Sequence, residues 1–123
     1  MNRKRGMKVL EEMLGREPAR EVLQNWKKIC PDFEKYVVGF LAGEVWARPG
    51  LDRKIKSLCS ISALAALGRS RALELNIRFA RNNGVTKQHL LETLLQIAPY
   101  AGFPAVWEAL VLVESIYNPK IED

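Results

Sequence analysis

Residues Leu73–Thr86 read LELNIRFARNNGVT, and their spacing decides the fold class. On a helix advancing about 100° per residue, Ala72, Asn76, Phe79, Ala80 and Asn83 fall on one face, flanked by Leu73 and Leu75. Glu74, Arg78 and Arg81 point the other way. Gly84 suits the C-terminal end of this helix, and Thr86 is a suitable cap for the next. The stretch also sets a question, because Asn76 sits where a core side chain belongs. An amide in an apolar arc must find hydrogen-bond partners or cost about 1–3 kcal/mol. It is either a satisfied structural amide or it faces a ligand.

Working outward, every strongly periodic segment is helical, and no run combines strict alternation with β-branched enrichment and hairpin turns. The expected fold is all-α, with helices at 3–14, 18–29, 32–47, 53–67, 71–83, 87–98 and 105–117. Asp52 and Ser70 are further candidate N-caps, Pro31 and Pro104 suit first turns, and Gly68 suits a C-terminal position. Pro99 lacks an amide donor, so IAPYAGFPA reads as a break or kink between two helices. Two segments are too apolar for surface helices. SLCSISALAALG, Ser57 to Gly68, carries no charge, and Val106 to Tyr117 is apolar nearly all round apart from Glu108 and Glu114. Such helices are expected in the centre of a bundle or across a subunit interface, which points to a homo-oligomer.

With 123 residues and 14.0 kDa, the chain reads as one domain, 1–123. An apolar share of 48% with 27% charged is that of a soluble globular protein, and no uncharged run reaches the roughly 20 residues that span a bilayer. The N-terminal MNRKRGMKVLEEML lacks the apolar core and cleavage site of a signal peptide. Cys30 and Cys59 form neither a CxxC pair nor a metal-ligand pattern, which fits a reducing cytoplasm. With a single histidine and no acidic cluster, a metal site is not expected. The net charge of +5 comes from basic residues interleaved with acids, so a small anionic ligand explains it at least as well as nucleic acid does.

Glu44 is a second polar intruder. Phe33, Val37, Phe40 and Leu41 define a helical stripe, and Glu44 continues it, directing a carboxylate toward apolar surroundings. Desolvation there would raise its pKa, as acid-base residues require; the alternative is that it swings out or pairs with Arg48. His89 shares a polar face with Glu92 and Gln96, opposite Leu90, Leu91, Leu94, Leu95 and Ala98, and reads as an ordinary surface histidine. Cys59, in the charge-free helix, reads as inert buried packing. Arg78 and Arg81 lie on the outward face of the helix carrying Asn76. They are either solvated, with Glu74 well placed to pair with Arg78, or an anion site, because guanidinium binds carboxylates bidentately. Trp46, Tyr100 and Trp107 are aromatics near the polar intruders in sequence.

Two blocks go beyond periodicity: GEVWARPGLDRKIKSLCSISALAALG, Gly43 to Gly68, and LELNIRFARNNGVTKQHLLETLLQIAPYAGFPA, Leu73 to Ala105. Together, and through RPGLD, NNGVT and YAGFPA, they resemble the carboxymuconolactone decarboxylase family of the wider alkylhydroperoxidase D-like group, from about Phe33 to Ala109. The resemblance implies an all-helical fold assembled as a ring-like homohexamer. It also implies a cofactor-free lyase of aromatic catabolism acting on γ-carboxymuconolactone. Loss of carbon dioxide from this lactone leaves an extended enolate that is protonated at carbon, so the chemistry needs an anion anchor, an oxyanion donor and a proton source.

Departures from the family pattern bear on the reaction. Decarboxylase members typically read HLRGALNNG where this chain reads NIRFARNNG, so Asn76 occupies the position of the family histidine. An amide can donate to an oxyanion but cannot shuttle a proton. Val106, Trp107 and Glu108 stand where relatives have smaller residues and an asparagine. The redox branch needs a CxxC, but Lys56 stands three before Cys59, so a thiol peroxidase of that mechanism is excluded. The leading expectation is a decarboxylase with Glu44 moving the proton, Asn76 donating to the oxyanion, Arg48 or Arg78 anchoring a carboxylate and Glu108 in reserve. Trp46, Tyr100 and Trp107 would line the substrate site. A non-catalytic binder of a small acidic metabolite, and an isomerase or cyclase using the same enolate, remain open beside it.

Overall fold

The computed structural model describes residues 2–120, which contain seven helices and no strand. They are α1 (Arg3–Leu14), α2 (Arg16–Ile29), α3 (Pro31–Tyr36) running on as a π-helix (Val37–Trp46), α4 (Arg53–Leu67), α5 (Ser70–Asn82), α6 (Lys87–Ala101) and α7 (Phe103–Tyr117). The all-α expectation holds, with most boundaries within two residues. The chain groups into two compact units, Met1–Asp52 and Arg53–Asp123.

In the first unit, α1 packs most closely on the π-helix. Small residues make this possible. A Cβ on Gly6 would lie 1.8 Å from the carbonyl oxygen of Val38, and one on Gly43 would lie 2.2 Å from that of Asn2. Asn2 adds two bonds at the start of α1: its side chain caps Arg5 N at 3.0 Å, and its own N–H donates to Gly39 O at 3.2 Å. The buried residues of the π-helix are therefore Val38, Gly39, Ala42 and Gly43. This corrects the expected stripe. Phe33, Phe40 and Leu41 are exposed and Val37 is half-buried, because a backbone pressed against the inner face leaves no room there for large side chains. Phe33 instead meets Trp26 edge-on, with ring centroids 5.8 Å apart.

In the second unit, α4, α5, α6 and α7 surround a core that includes Ile61, Ile77, Leu90, Leu94 and Val113, all fully buried. Each large aliphatic side chain removed from water there contributes about 1.5–3 kcal/mol. Two polar ties close the bundle: Arg81 Nη1 donates to Ile116 O at 2.9 Å, and Tyr117 Oη donates to Val85 O at 2.7 Å. Arg81 thus meets a carbonyl of the last turn of α7, where a cation is favoured.

Several local expectations are corrected. Helix α6 runs through Pro99 to Ala101, and the chain breaks at the next residue, Gly102, whose φ is +101°. The carbonyl that Pro99 leaves without its usual donor belongs to Leu95, an exposed residue, so water can serve it. Ser70 is the first residue of α5 rather than its cap; Arg69 takes the cap position without a side-chain bond. Thr86 caps α6 as expected, accepting from His89 N at 3.1 Å. Only Ser57, Ile61 and Ala65 of α4 are buried, and Cys59, expected inside, is exposed, as is Leu95. In α7 the inner face is Val106, Ala109, Val113 and Ile116, which leaves Phe103, Trp107 and Val111 on the surface.

Candidate functional site

The first unit holds a cleft of about 420 Å³ at the end of the π-helix, lined by Arg5, Phe40, Glu44, Val45, Arg48 and neighbours. Glu44 is half-buried there rather than aimed into the core. Its place follows from the helix: with Gly43 turned onto α1, the next residue lies at the edge of the packed face. Arg48 follows as the chain leaves the helix, its N–H donating to Val45 O at 3.2 Å. Arg5 reaches the cleft from α1, with Nε donating to Gly43 O at 2.7 Å. The cleft therefore combines two guanidinium groups, one carboxylate and an apolar wall from Phe40, Val45 and Pro49. Such a set can hold a small anion and offer it a proton-transfer group. Trp46 is half-buried and is not among the lining residues.

Sequence reasoning found Glu44 and Arg48 but missed Arg5, which has no helical periodicity with them and meets Gly43 across 38 positions. The adjacent Gly6 was the available signal, since a glycine inside an otherwise good helix marks a close approach.

A second basic cleft in the same unit, of about 220 Å³, is lined by Arg3, Arg16, Arg20, Lys27 and Glu34 among others. Its centre is already neutralised. Arg3 grips Glu34 with both terminal amines, and these bonds hold the Glu34 carboxyl below the usual carboxylate range against the opposing effect of burial.

In the second unit the remaining candidates are dispersed. Asn76 is half-buried, and its Nδ2 donates to Ala72 O at 2.8 Å, one turn back on its own helix. The buried face of α5 is Leu73, Ile77, Phe79 and Ala80, so the face expected from the sequence is rotated and Asn76 lies at its margin. The opening question thus has a structural answer: the amide has a partner on its own backbone. Arg78 pairs with Glu74 at 3.1 Å on the outward face. Asn83 reaches the buried Ser57, Nδ2 to Oγ, at 3.4 Å. Tyr100 is 85% exposed, Trp107 is 66% exposed, and Glu108 is exposed. Trp107 lines an apolar groove of about 800 Å³ with Leu91, Leu110 and Val111, bordered by Lys87 and Glu114. Lys87 and Glu114 form an ion pair, and bonds from Lys87 and Asn118 hold the Glu114 carboxyl low. His89 is exposed, as expected.

Among the described residues, no three His, Cys, Asp or Glu side chains are grouped as a metal ion would require, and no helix is long and apolar enough to cross a membrane.

Comparison with known proteins places these features in a family. The model of the carboxymuconolactone decarboxylase family matches residues 31–115. A 4-carboxymuconolactone decarboxylase of Acinetobacter baylyi is 40% identical over 115 residues, covering 94% of this chain and 86% of the relative. A nitrosuccinic acid decarboxylase of Metarhizium robertsii is 34% identical over 119 residues, covering 95% and 82%. An uncharacterized 15.0 kDa protein of Paracoccus denitrificans is 28% identical over 128 residues, covering 94% and 96%. With the matched segment beginning at Pro31 and taking in the π-helix, the Glu44 and Arg48 side of its cleft and nearly all of the second unit, the chain belongs to the carboxymuconolactone decarboxylase family.

Proposed function

We propose that the protein is a carboxy-lyase that releases carbon dioxide from a small polycarboxylate whose remaining carbanion is delocalised into a neighbouring acceptor, with γ-carboxymuconolactone as the first substrate to test. The observation that carries this reading is that Glu44 and Arg48 line one cleft of about 420 Å³ with an apolar wall. The names of two relatives support it, because both denote decarboxylases of small acids, one a lactone and one a nitro compound. In such an acid the carbon–carboxylate bond breaks with its electron pair left on carbon. The lactone carbonyl or an equivalent group takes up that charge. Glu44 then relays a proton from water to the carbanion, leaving hydroxide that the released carbon dioxide takes up as bicarbonate. Arg48 holds a carboxylate that stays on the substrate.

Self-association is part of the proposal. Leu67, Leu95, Tyr100, Phe103, Trp107 and Val111 of the second unit are exposed apolar or aromatic residues, more than a lone bundle of this size needs on its surface. They support a homo-oligomer, with a hexamer as the state implied by the family pattern. A compact monomer at micromolar concentration in analytical ultracentrifugation would overturn it.

A binding-only reading is favoured by one observation: position 76 carries an amide whose donor is turned back to Ala72 O. Carbon dioxide release and loss of lactone absorbance on γ-carboxymuconolactone separate the readings. Turnover by the unaltered protein that is abolished in Glu44→Gln is the expected result. No turnover by the unaltered protein, with activity gained in Asn76→His, selects binding or another substrate. Product without carbon dioxide selects an isomerase or cyclase.

A further inference from the structure

We infer that Arg5 is a specificity-determining residue of the Glu44 cleft, where it joins Arg48 in holding the carboxylate that the substrate keeps; this rests on the decarboxylase reading above. Three observations on α1 lead to it. First, Arg5 lines the same cleft as Glu44 and Arg48. Second, its guanidinium is oriented by Nε donating to Gly43 O at 2.7 Å, the residue immediately before Glu44. A guanidinium has five N–H donors in one plane, so fixing Nε sets the direction of the fork while the terminal amines remain able to meet a planar anion. Third, the segment that carries Arg5 is held in place. Asn2 caps its N–H, and Gly6 lies against Val38 so closely that no side chain fits between them. A charge positioned at this cost in packing freedom is preorganised for a ligand.

The chemistry states which carboxylate it should hold. In decarboxylation the departing carboxylate loses its charge as carbon dioxide forms. A cation gripping that group stabilises the ground state more than the transition state and slows the reaction. A cation gripping a retained carboxylate is equally favourable in both states, so it contributes affinity without retarding the bond cleavage. Two guanidinium groups beside one carboxylate leave the cleft with an excess positive charge, suited to a substrate with more than one carboxylate.

The test compares the unaltered protein with Arg5→Gln and Arg5→Lys in two measurements. Steady-state kinetics on γ-carboxymuconolactone read KM and kcat separately. Calorimetric titration with succinate, a dicarboxylate with no labile carboxyl, reads binding without turnover. For Arg5→Gln, KM for the lactone and Kd for succinate are expected to rise about tenfold or more, with kcat within about threefold. Arg5→Lys keeps the charge and recovers part of the affinity. Because Gln places an amide N–H where Arg5 has Nε and can keep the bond to Gly43 O, whereas Lys has a methylene there, a purely structural role would spare Arg5→Gln and weaken Arg5→Lys, and that outcome overturns the inference. Unchanged KM and Kd in Arg5→Gln also overturn it, as does a lack of succinate binding by the unaltered protein at millimolar concentration. If the lactone is not turned over while Arg5→Gln still loses succinate affinity, the anchor stands and the decarboxylase reading falls.

Discussion

The guanidinium of Arg3 holds the carboxylate of Glu34 through two bonds, Nη1 to Oε1 at 2.6 Å and Nη2 to Oε2 at 2.9 Å. Glu34 is buried while Arg3 is half in solvent, so the pair joins the start of α1 to α3 at the edge of the first unit. Its carboxyl lies below the usual range, chiefly through the hydrogen bonds from Arg3. A depressed carboxyl binds fewer protons folded than unfolded. Its contribution to stability is therefore complete above the unfolded value of about 4.3 and disappears as pH falls through the lower folded value. Glu34→Gln is expected to cost about 1–2 kcal/mol at neutral pH, reduced from a fully buried pair by the exposure of Arg3. Urea unfolding at a series of acidic pH values checks both parts. The difference between the two proteins should shrink as pH drops below about 4, and a constant difference would show that the pair is not what titrates.

The approach of α1 to the π-helix gives a second prediction. A Cβ at position 6 or 43 would meet a backbone carbonyl oxygen at 1.8 or 2.2 Å, and neither oxygen can move without shifting a helix. Gly6→Ala and Gly43→Ala should each destabilise by about 2–4 kcal/mol, despite the better helix propensity of alanine. Gly50 is the control, because nothing lies within 4 Å of a Cβ built there. Gly50→Ala should be neutral or slightly stabilising through the unfolded chain. Thermal midpoints of the three variants decide the matter, and equal midpoints would refute the tight crossing.

Tyr117 makes a third case at the other end of the pH scale. Its hydroxyl donates to Val85 O at 2.7 Å, and burial pushes its ionisation above the ordinary value. The folded state thus holds this proton more firmly than the unfolded one. Stability from Tyr117 is complete below about pH 10 and is lost as pH rises through the higher folded value. Tyr117→Phe should cost about 1 kcal/mol at neutral pH, because the carbonyl of the buried Val85 loses its donor. Above about pH 10 the variant should lose less further stability than the parent, as followed by circular dichroism during denaturation.

How much of this was legible in the sequence depended on whether a residue's neighbours were local. Helix existence was readable throughout, because caps and stops such as Thr86, Pro31, Pro104 and Gly84 act within one or two turns. Helix rotation was not. In α3 and the π-helix the large residues Phe33, Phe40 and Leu41 outweigh Gly39, Ala42 and Gly43 in any periodicity, yet the small residues face inward because α1 needs the space. The wider turn of the π-helix also departs from the 3.6-residue period on which the stripe was drawn. The same error of rotation placed Asn76 inside rather than at the margin of α5. Pro99 misled because a proline near a helix end withdraws only one bond, here that to the carbonyl of the exposed Leu95. Glu44 and Arg48 could be named from adjacent sequence, whereas Arg5 and the Arg3–Glu34 pair depend on contacts between segments more than 30 positions apart.

Asn76 allows stability and activity to be separated in one variant. Its amide bond to Ala72 O is on a half-exposed face, where a net contribution of about 0.5–1 kcal/mol is expected. Alanine is a better helix former than asparagine by a similar amount, about 0.6 kcal/mol, so Asn76→Ala should leave stability within about 0.5 kcal/mol of the parent. If the amide serves only its own helix, activity on γ-carboxymuconolactone should be equally indifferent. If it also donates to charge developing on the substrate, as the position of the family histidine implies, kcat should fall by about tenfold or more while the thermal midpoint hardly moves. We expect the first result, because the amide donor is turned back to Ala72 O and Asn76 is not among the residues that line the Glu44 cleft. A variant with unchanged kcat and unchanged midpoint would assign Asn76 to α5 alone and leave proton and charge handling to the Glu44 cleft.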